Sequence, residues 1–156
     1  MDTVREDHEE QHRTFEELGS LGPAGLDGET LAELQGIPPE LGEAILRVAE
    51  AELTAGRLEK ARTILEGMVV TNHKDPDGWA LLSITHRRLQ HPLAARFCAE
   101  VAARLAPAAP WVRLTRAESL LSQPELGAEA RTELSALVAD AQVGARARSL
   151  LTALGA

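Results

Sequence analysis

The sequence predicts an all-α chain of stacked helical hairpins, and three observations carry that prediction. Apolar residues make up 44% of the chain but aromatic residues only 3%, with no Tyr, so the core must come from Leu, Ala, Val and Ile. Ala and Leu are strong helix formers, while the aromatic residues that favour strands are scarce. Apolar residues then recur three and four apart, the helical spacing, in seven successive stripes. Finally, the markers between and within the stripes repeat every 34 residues: Ala61 and Ala95, Pro76 and Pro110, and the small residues Ala49, Ser83 and Ala117.

The stripes follow one another with short breaks. Leu41, Ile45, Val48 and Ala49 form the first, which ends before Gly56. Leu58, Ala61, Leu65 and Met68 form the second. Pro76 opens the third, because proline is tolerated in a first helical turn whose N–H has no partner anyway. Asp75 before it is a suitable N-cap, and the stripe runs through Trp79, Leu82, Ser83 and His86. After a break at Gln90–Pro92 come Leu93, Phe97, Val101 and Leu105. Pro110 opens the fifth stripe, Val112, Leu114, Ala117 and Leu121. Leu126, Ala130, Leu134, Leu137 and Val138 form the sixth, and Ala147, Leu150, Leu151 and Leu154 the last. Small residues at a fixed interval let paired helices approach closely.

This pattern resembles a tetratricopeptide (TPR) array. The unit 76–109 matches best: Trp79, Leu82 and Ser83 stand at the large, large and small positions, Ala95 and Ala102 at the small positions of the second helix, and Pro107 closes the unit. Unit 42–75 keeps Val48, Ala49, Gly56 and Ala61 but has His73 where the closing proline is expected. Unit 110–143 keeps Ala117 and gains one residue near Pro124–Gly127, so that Ala130 rather than Glu129 takes the small position. The resemblance implies three tandem TPR hairpins in a curved solenoid. An acidic arm over 1–28 precedes the TPR domain, 29–156, and a capping helix over 144–154 ends it.

Stacked hairpins bury one face and leave a concave one, lined by the first helix of each pair. Placed on that face are Glu43, Leu46, Glu50 and Leu53 of the first unit, Asp77, Ala80, Ile84 and Arg87 of the second, and Trp111, Leu114, Glu118 and Leu121 of the third. Leu46, Leu53, Ala80, Ile84, Leu114 and Leu121 give it an apolar floor, suited to an extended peptide with small aliphatic anchors. The client-binding candidates are therefore Leu46, Glu50, Leu53, Ala80, Ile84, Arg87, Trp111, Leu114, Glu118 and Leu121. Trp111 divides between packing and client contact. Arg87 is either solvated or meets a carboxylate of a client or of the N-terminal arm. Trp79 and Cys98 fit core positions, and His86 a packing or hydrogen-bonding one.

Charge excludes several functions. Residues 1–59 hold 15 acidic and 4 basic side chains, whereas 60–156 hold 9 acidic and 12 basic. An acidic arm thus precedes a near-neutral body, and its sharpest use is contact with the basic stretch Arg87–Arg116, in the same chain or a second copy. With a pI near 5.1 and no basic cluster interleaved with aromatics, nucleic acid is not an expected partner. One cysteine, Cys98, allows no disulfide within the chain. The acidic start and the lack of an apolar run of membrane-spanning length predict a soluble cytoplasmic protein.

One stretch argues otherwise. Residues 8–12, HEEQH, match the H-E-x-x-H zinc-protease signature. The flanks are mostly charged, so nothing would pack the helix rigidly inside a domain, and six residues after His12 stands Leu18 rather than a third His. The reading is a solvated helical arm, with no catalysis, no metal site and no cofactor.

An acidic N-terminal helix, a glycine-rich break, a short helix, three TPRs and a closing helix resemble the class II type III secretion chaperones, which serve translocators. The likeness runs from about Phe15 to Leu154 and is clearest in ETLAELQGI (29–37), AGRLEKA (55–61), VVTNHKD (69–75) and RAESLLSQPEL (116–126). It implies a cytoplasmic chaperone that holds a hydrophobic translocator in its groove before export, often as a homodimer formed through the N-terminal region. One departure stands out: the grooves of that family are richer in Tyr and Phe, and this chain has only Phe15 and Phe97.

Overall fold

A computed structural model of the protein describes residues 28–155. The acidic arm expected over 1–28, with His8 and His12, lies outside them except for Gly28. Eight α-helices and one 3-10 turn occur among the described residues. They are α1 (Leu31–Leu34), α2 (Pro39–Thr54), α3 (Leu58–Thr71), α4 (Pro76–Arg88), α5 (Pro92–Leu105), α6 (Pro110–Leu120), the 3-10 turn Pro124–Leu126, α7 (Gly127–Leu137) and α8 (Gly144–Ala153). Each helix from α2 onward packs on the next, forming the hairpins α2–α3, α4–α5 and α6–α7. Across hairpins α2 also touches α4, and α4 touches α6, so the first helices line up side by side. This is a TPR-like stack.

Local chemistry explains the boundaries. The single turn α1 survives through its cap: the Thr30 hydroxyl accepts from the Glu33 N–H at 3.0 Å, and the Glu33 carboxylate accepts from the Thr30 N–H at 2.6 Å. Lys74, 3.3 Å from that carboxylate, ties the turn to the loop before α4. Helix α2 starts at Pro39, ahead of the expected boundary at 42, because Pro39 occupies the first helical position. Its end is set by Gly56, whose φ of +76° suits glycine, while Arg57 N–H donates back to the Glu52 carbonyl at 2.9 Å. At the head of α4, Asp75 caps as expected, its carboxylate accepting from the Asp77 N–H at 2.8 Å.

The 34-residue markers are the contact points. Ala49, Ala61, Ala95 and Ala117 are 0% exposed and Ser83 1%. Ser83 does more than stay small: its hydroxyl donates to the Ala95 carbonyl at 2.7 Å, so two markers meet across the α4–α5 hairpin. Around them lie three clusters. Ala49, Leu65, Val69, Leu82 and Cys98 fill the first, Ala80, Ala102 and Val112 the second, and Ala117, Leu134, Leu137, Val143 and Ala147 the third. Burial of each Leu contributes about 2–3 kcal/mol, which the close helix spacing makes available. Trp79 packs edge-on to Phe97, ring centroids 6.0 Å apart, and its indole N–H donates to the His73 carbonyl at 2.8 Å. The residue in the place of the closing proline thus supplies an acceptor to the core tryptophan.

The third hairpin absorbs its extra residue in the 3-10 turn Pro124–Leu126, and Ala130 is fully buried while Glu129 is exposed. Before α8 the chain turns so tightly that a Cβ on Gly144 would lie 2.6 Å from the Val138 carbonyl oxygen. Only glycine fits there. Cys98 is buried and its thiol is pushed up to about 12 by burial, so it stays protonated and unreactive.

His86 is buried at the end of α4, its Nδ1 3.4 Å from the Nδ1 of His91. Burial, then His91, lowers its affinity for a proton below the ordinary histidine value. The unfolded chain therefore takes up a proton near pH 6.5 that the folded chain resists. His86 contributes fully to stability above that pH and progressively less as pH falls below it. Urea midpoints should drop between about pH 7 and pH 5, and His86→Gln should flatten that part of the profile.

A candidate peptide-binding groove

The first helices α2, α4 and α6 carry the residues expected on the concave face. Leu46 is half-buried against the first core cluster, beside Trp79 and Leu81. Ile84 is half-buried on α4. Trp111 and Leu114 on α6 and Leu121 at its C-cap are half-buried against the third cluster, and Trp111 also reaches the second. These five keep part of their apolar surface at the face of the stack while the rest anchors them. Such half-burial suits a binding floor: the side chains are already ordered, so little rotamer freedom is lost on docking.

Two expected floor residues are not at the surface. Leu53 is 7% exposed and Ala80 0%. Ala80 is too short to reach past its neighbours and is covered by Ala102 and Val112 where three helices converge. Both support the floor from beneath.

The charged residues also differ from expectation. Arg87 neither stands in solvent nor waits for a partner: its Nη1 lies 2.6 Å from Oε2 of Glu118, which is 8% exposed. The other oxygen of Glu118 accepts from Arg146 Nε at 2.8 Å. One buried carboxylate therefore clamps α4, α6 and α8 together. Arg146 was not among the sequence candidates because α8 reads as a plain capping helix. A signal existed: Arg146 lies 35 residues after Trp111, the repeat length plus the one residue inserted near Pro124.

Two further arginines of the basic stretch, Arg113 and Arg116, are also paired. Arg113 Nε lies 2.6 Å from Glu133, and Arg116 lies 2.9 Å from Glu100 and 2.5 Å from Glu129. Those partners raise the Arg116 pKa against the opposing effect of burial. Arg87, Arg113 and Arg116 are thus engaged with carboxylates of the described residues. The opposite end of the face is acidic. Asp77 heads α4, and partial burial, then Asp75 and Glu50, raise its pKa. Glu50 itself is exposed, as is Glu43, which pairs with Arg47 at 3.9 Å. The face therefore runs from acidic at α2 to guanidinium-bearing at α6–α8, with the apolar strip between. A separate open depression, formed by Glu52, Glu59, Lys60, Thr63 and Ile64, lies between α2 and α3.

No protein-family model and no curated protein sequence matches the chain. Solved structures do. The type III secretion translocator chaperone SycD of Yersinia enterocolitica superposes with a TM-score of 0.71 at 25% identity, covering 81% of this chain and 98% of SycD. The chain has the fold of the type III secretion translocator chaperones. SycD in complex with a peptide of the translocator YopD matches at a TM-score of 0.65 and 23% identity, over 76% of this chain and 95% of that one. PcrH in complex with the chaperone-binding region of PopD matches at 0.61 and 20%, over 77% and 95%. In a translocator-chaperone fold, the stack described above is nearly the whole molecule. Among the described residues there is no cluster of three or more His, Cys, Asp or Glu side chains placed to hold a metal, and no helix long and apolar enough to cross a membrane.

The clamp makes a prediction about which partner matters. Glu118 is buried, whereas Arg87 and Arg146 reach water with side chains 27% and 56% exposed. Removing Glu118 frees two cations that can hydrate, and Glu118→Ala should cost about 1–2 kcal/mol. The double variant Arg87→Ala/Arg146→Ala strands the buried carboxylate and should cost more, about 3 kcal/mol. Adding Glu118→Gln to the double variant should recover part of that loss in urea denaturation.

Proposed function

We propose that the chain is a non-catalytic cytoplasmic chaperone that binds an extended segment of a hydrophobic type III secretion translocator and keeps it soluble and competent for export. The observation that carries this reading is the half-buried strip Leu46, Ile84, Trp111, Leu114 and Leu121, presented by neighbouring first helices in a fold shared with chaperones seen with translocator peptides. Leu53 and Ala80 back that strip, while Glu50 and the Arg87–Glu118 pair flank it.

The energetics fit a holding function. Each aliphatic anchor that a client buries contributes about 1.5–3 kcal/mol. Two or three anchors are largely offset by the entropy of ordering an extended peptide, so the complex is moderate in affinity and reversible. Reversibility is what a client bound for export requires. With no Tyr and no Phe on the strip, the pockets are shaped by Leu46, Ile84, Leu114, Leu121 and one aromatic, Trp111, and suit branched aliphatic anchors.

Self-association belongs to the same proposal. Residues 1–28 precede α1 in the sequence, and α1 and α2 carry apolar side chains in water: Leu34 is 67%, Leu41 48% and Val48 53% exposed. A second copy engaging this region would cover surface that is costly to leave in water.

Two measurements test the proposal. Asp substitutions at Leu46, Ile84 and Leu114 should abolish co-purification of a translocator encoded beside this chain while circular dichroism stays helical. Undiminished capture would overturn the groove assignment. Deleting residues 1–28 should lower the molecular mass in light scattering from dimer to monomer, and an unchanged mass would remove the arm from the interface.

A further inference from the structure

Outside the groove, two imidazoles are held face to face by backbone geometry. His86 ends α4 and His91 precedes the first residue of α5. Between them Gln90 adopts a left-handed φ of +62°, the His91 N–H donates to the His86 carbonyl at 2.9 Å, and the Gln90 N–H donates to Arg87 at 3.1 Å. This is the two-bond turn that closes a helix, and the side chains that meet across it are normally apolar. Here both are histidines, with Nδ1 atoms 3.4 Å apart and rings tilted by 45°.

We infer that His86 and His91 form a bidentate site for a borderline-soft divalent ion of the Zn²⁺, Ni²⁺ and Cu²⁺ class. Metal–nitrogen bonds of about 2.0–2.1 Å set two nitrogens of one tetrahedral shell roughly 3.3–3.4 Å apart, the separation already present. The ion binds both Nδ1 lone pairs once the ring that holds its proton on Nδ1 has moved it to its own Nε2, so each neutral ring keeps its single proton on Nε2. Imidazole ligands select this class of ion over Mg²⁺ or Ca²⁺. Two protein ligands leave the remaining positions to water, so the site is open, with exposed His91 on its solvent side.

The surroundings suit a cation. From α3, Glu59 and Glu66 favour positive charge at His86 and Arg62 opposes it. Arg62 is itself drawn toward those carboxylates, at 2.7 and 3.8 Å. Burial keeps the His86 lone pair unprotonated at neutral pH, as a ligand must be. Cys98 is no competitor, since its buried thiol stays protonated. A bound ion would pin the α4–α5 corner of the central hairpin and is independent of client binding.

The test uses the tag-free full chain carrying His8→Gln and His12→Gln, which silences the other histidine pair. Calorimetric titration with ZnCl₂ and with CuSO₄ near pH 7.5 should give one ion per chain, with Cu²⁺ the tighter, and a metal-dependent rise in Tm. His91→Gln, a change at an exposed residue, should weaken binding by at least about tenfold. Lowering the pH to about 5.5 should release the ion. Copper resonance spectra should show two coupled nitrogens. Absence of binding in the His8/His12 variant overturns the proposal. So does binding that survives both His91→Gln and His86→Gln, which would mark an adventitious ion only.

Discussion

Close approach between helices at five small side chains is what the rest of this structure depends on. Ala49, Ala61, Ser83, Ala95 and Ala117 are almost fully buried, and each lies where one helix crosses another. None buries much apolar area itself. Their contribution is spacing: with nothing larger than a methyl or hydroxymethyl group in the way, Leu65 and Leu82 pack in one cluster and Leu134 and Leu137 in another. The Ser83 hydroxyl adds direction, since its bond to the Ala95 carbonyl fixes α4 against α5 along the helix axis as well as across it. A larger side chain at any of these points would push a hairpin away from its neighbour and alter the curvature that shapes the groove.

Much of this was legible in the sequence because the period is a property of residue types. Pro76 and Pro110 start helices where the interval places them, and the inserted residue of the third hairpin turned up as the 3-10 turn before Gly127. What sequence could not supply was depth. Leu53 and Ala80 fall on the expected face but sit beneath it, because exposure depends on how far the neighbouring helix has moved in. Charge partners were equally hidden. Arg87 reads as solvated until α6 brings Glu118 to it, a contact across 31 residues. Arg146 was missed for a different reason: a closing helix is expected to cover a surface and not to supply a group to it.

The face built by α2, α4 and α6 combines order with polarity. Its apolar side chains are held from behind by the core, while its two ends carry opposite charge. The Arg87–Glu118–Arg146 clamp spans two hairpins and α8, so it reports on their relative placement. A pair buried this far adds little net stability over an apolar alternative. Its physical role here is geometric: three helices must arrive together for the carboxylate to be satisfied. The scarcity of aromatic residues acts in the same region, leaving Trp111 as the one aromatic among short, branched side chains.

Four of the helices, α2, α4, α5 and α6, open with proline at the first position. Proline tolerates the first turn and little else of a helix, since in the interior it would break a backbone bond and clash with the preceding turn, a penalty of about 3 kcal/mol. The start of each of these helices is therefore nailed to one residue. These four helices cannot accommodate a guest by winding further at their N-terminal ends or by sliding their sequence through the stack. A change of curvature in the array is then left to hairpins shifting against one another about the connections between them.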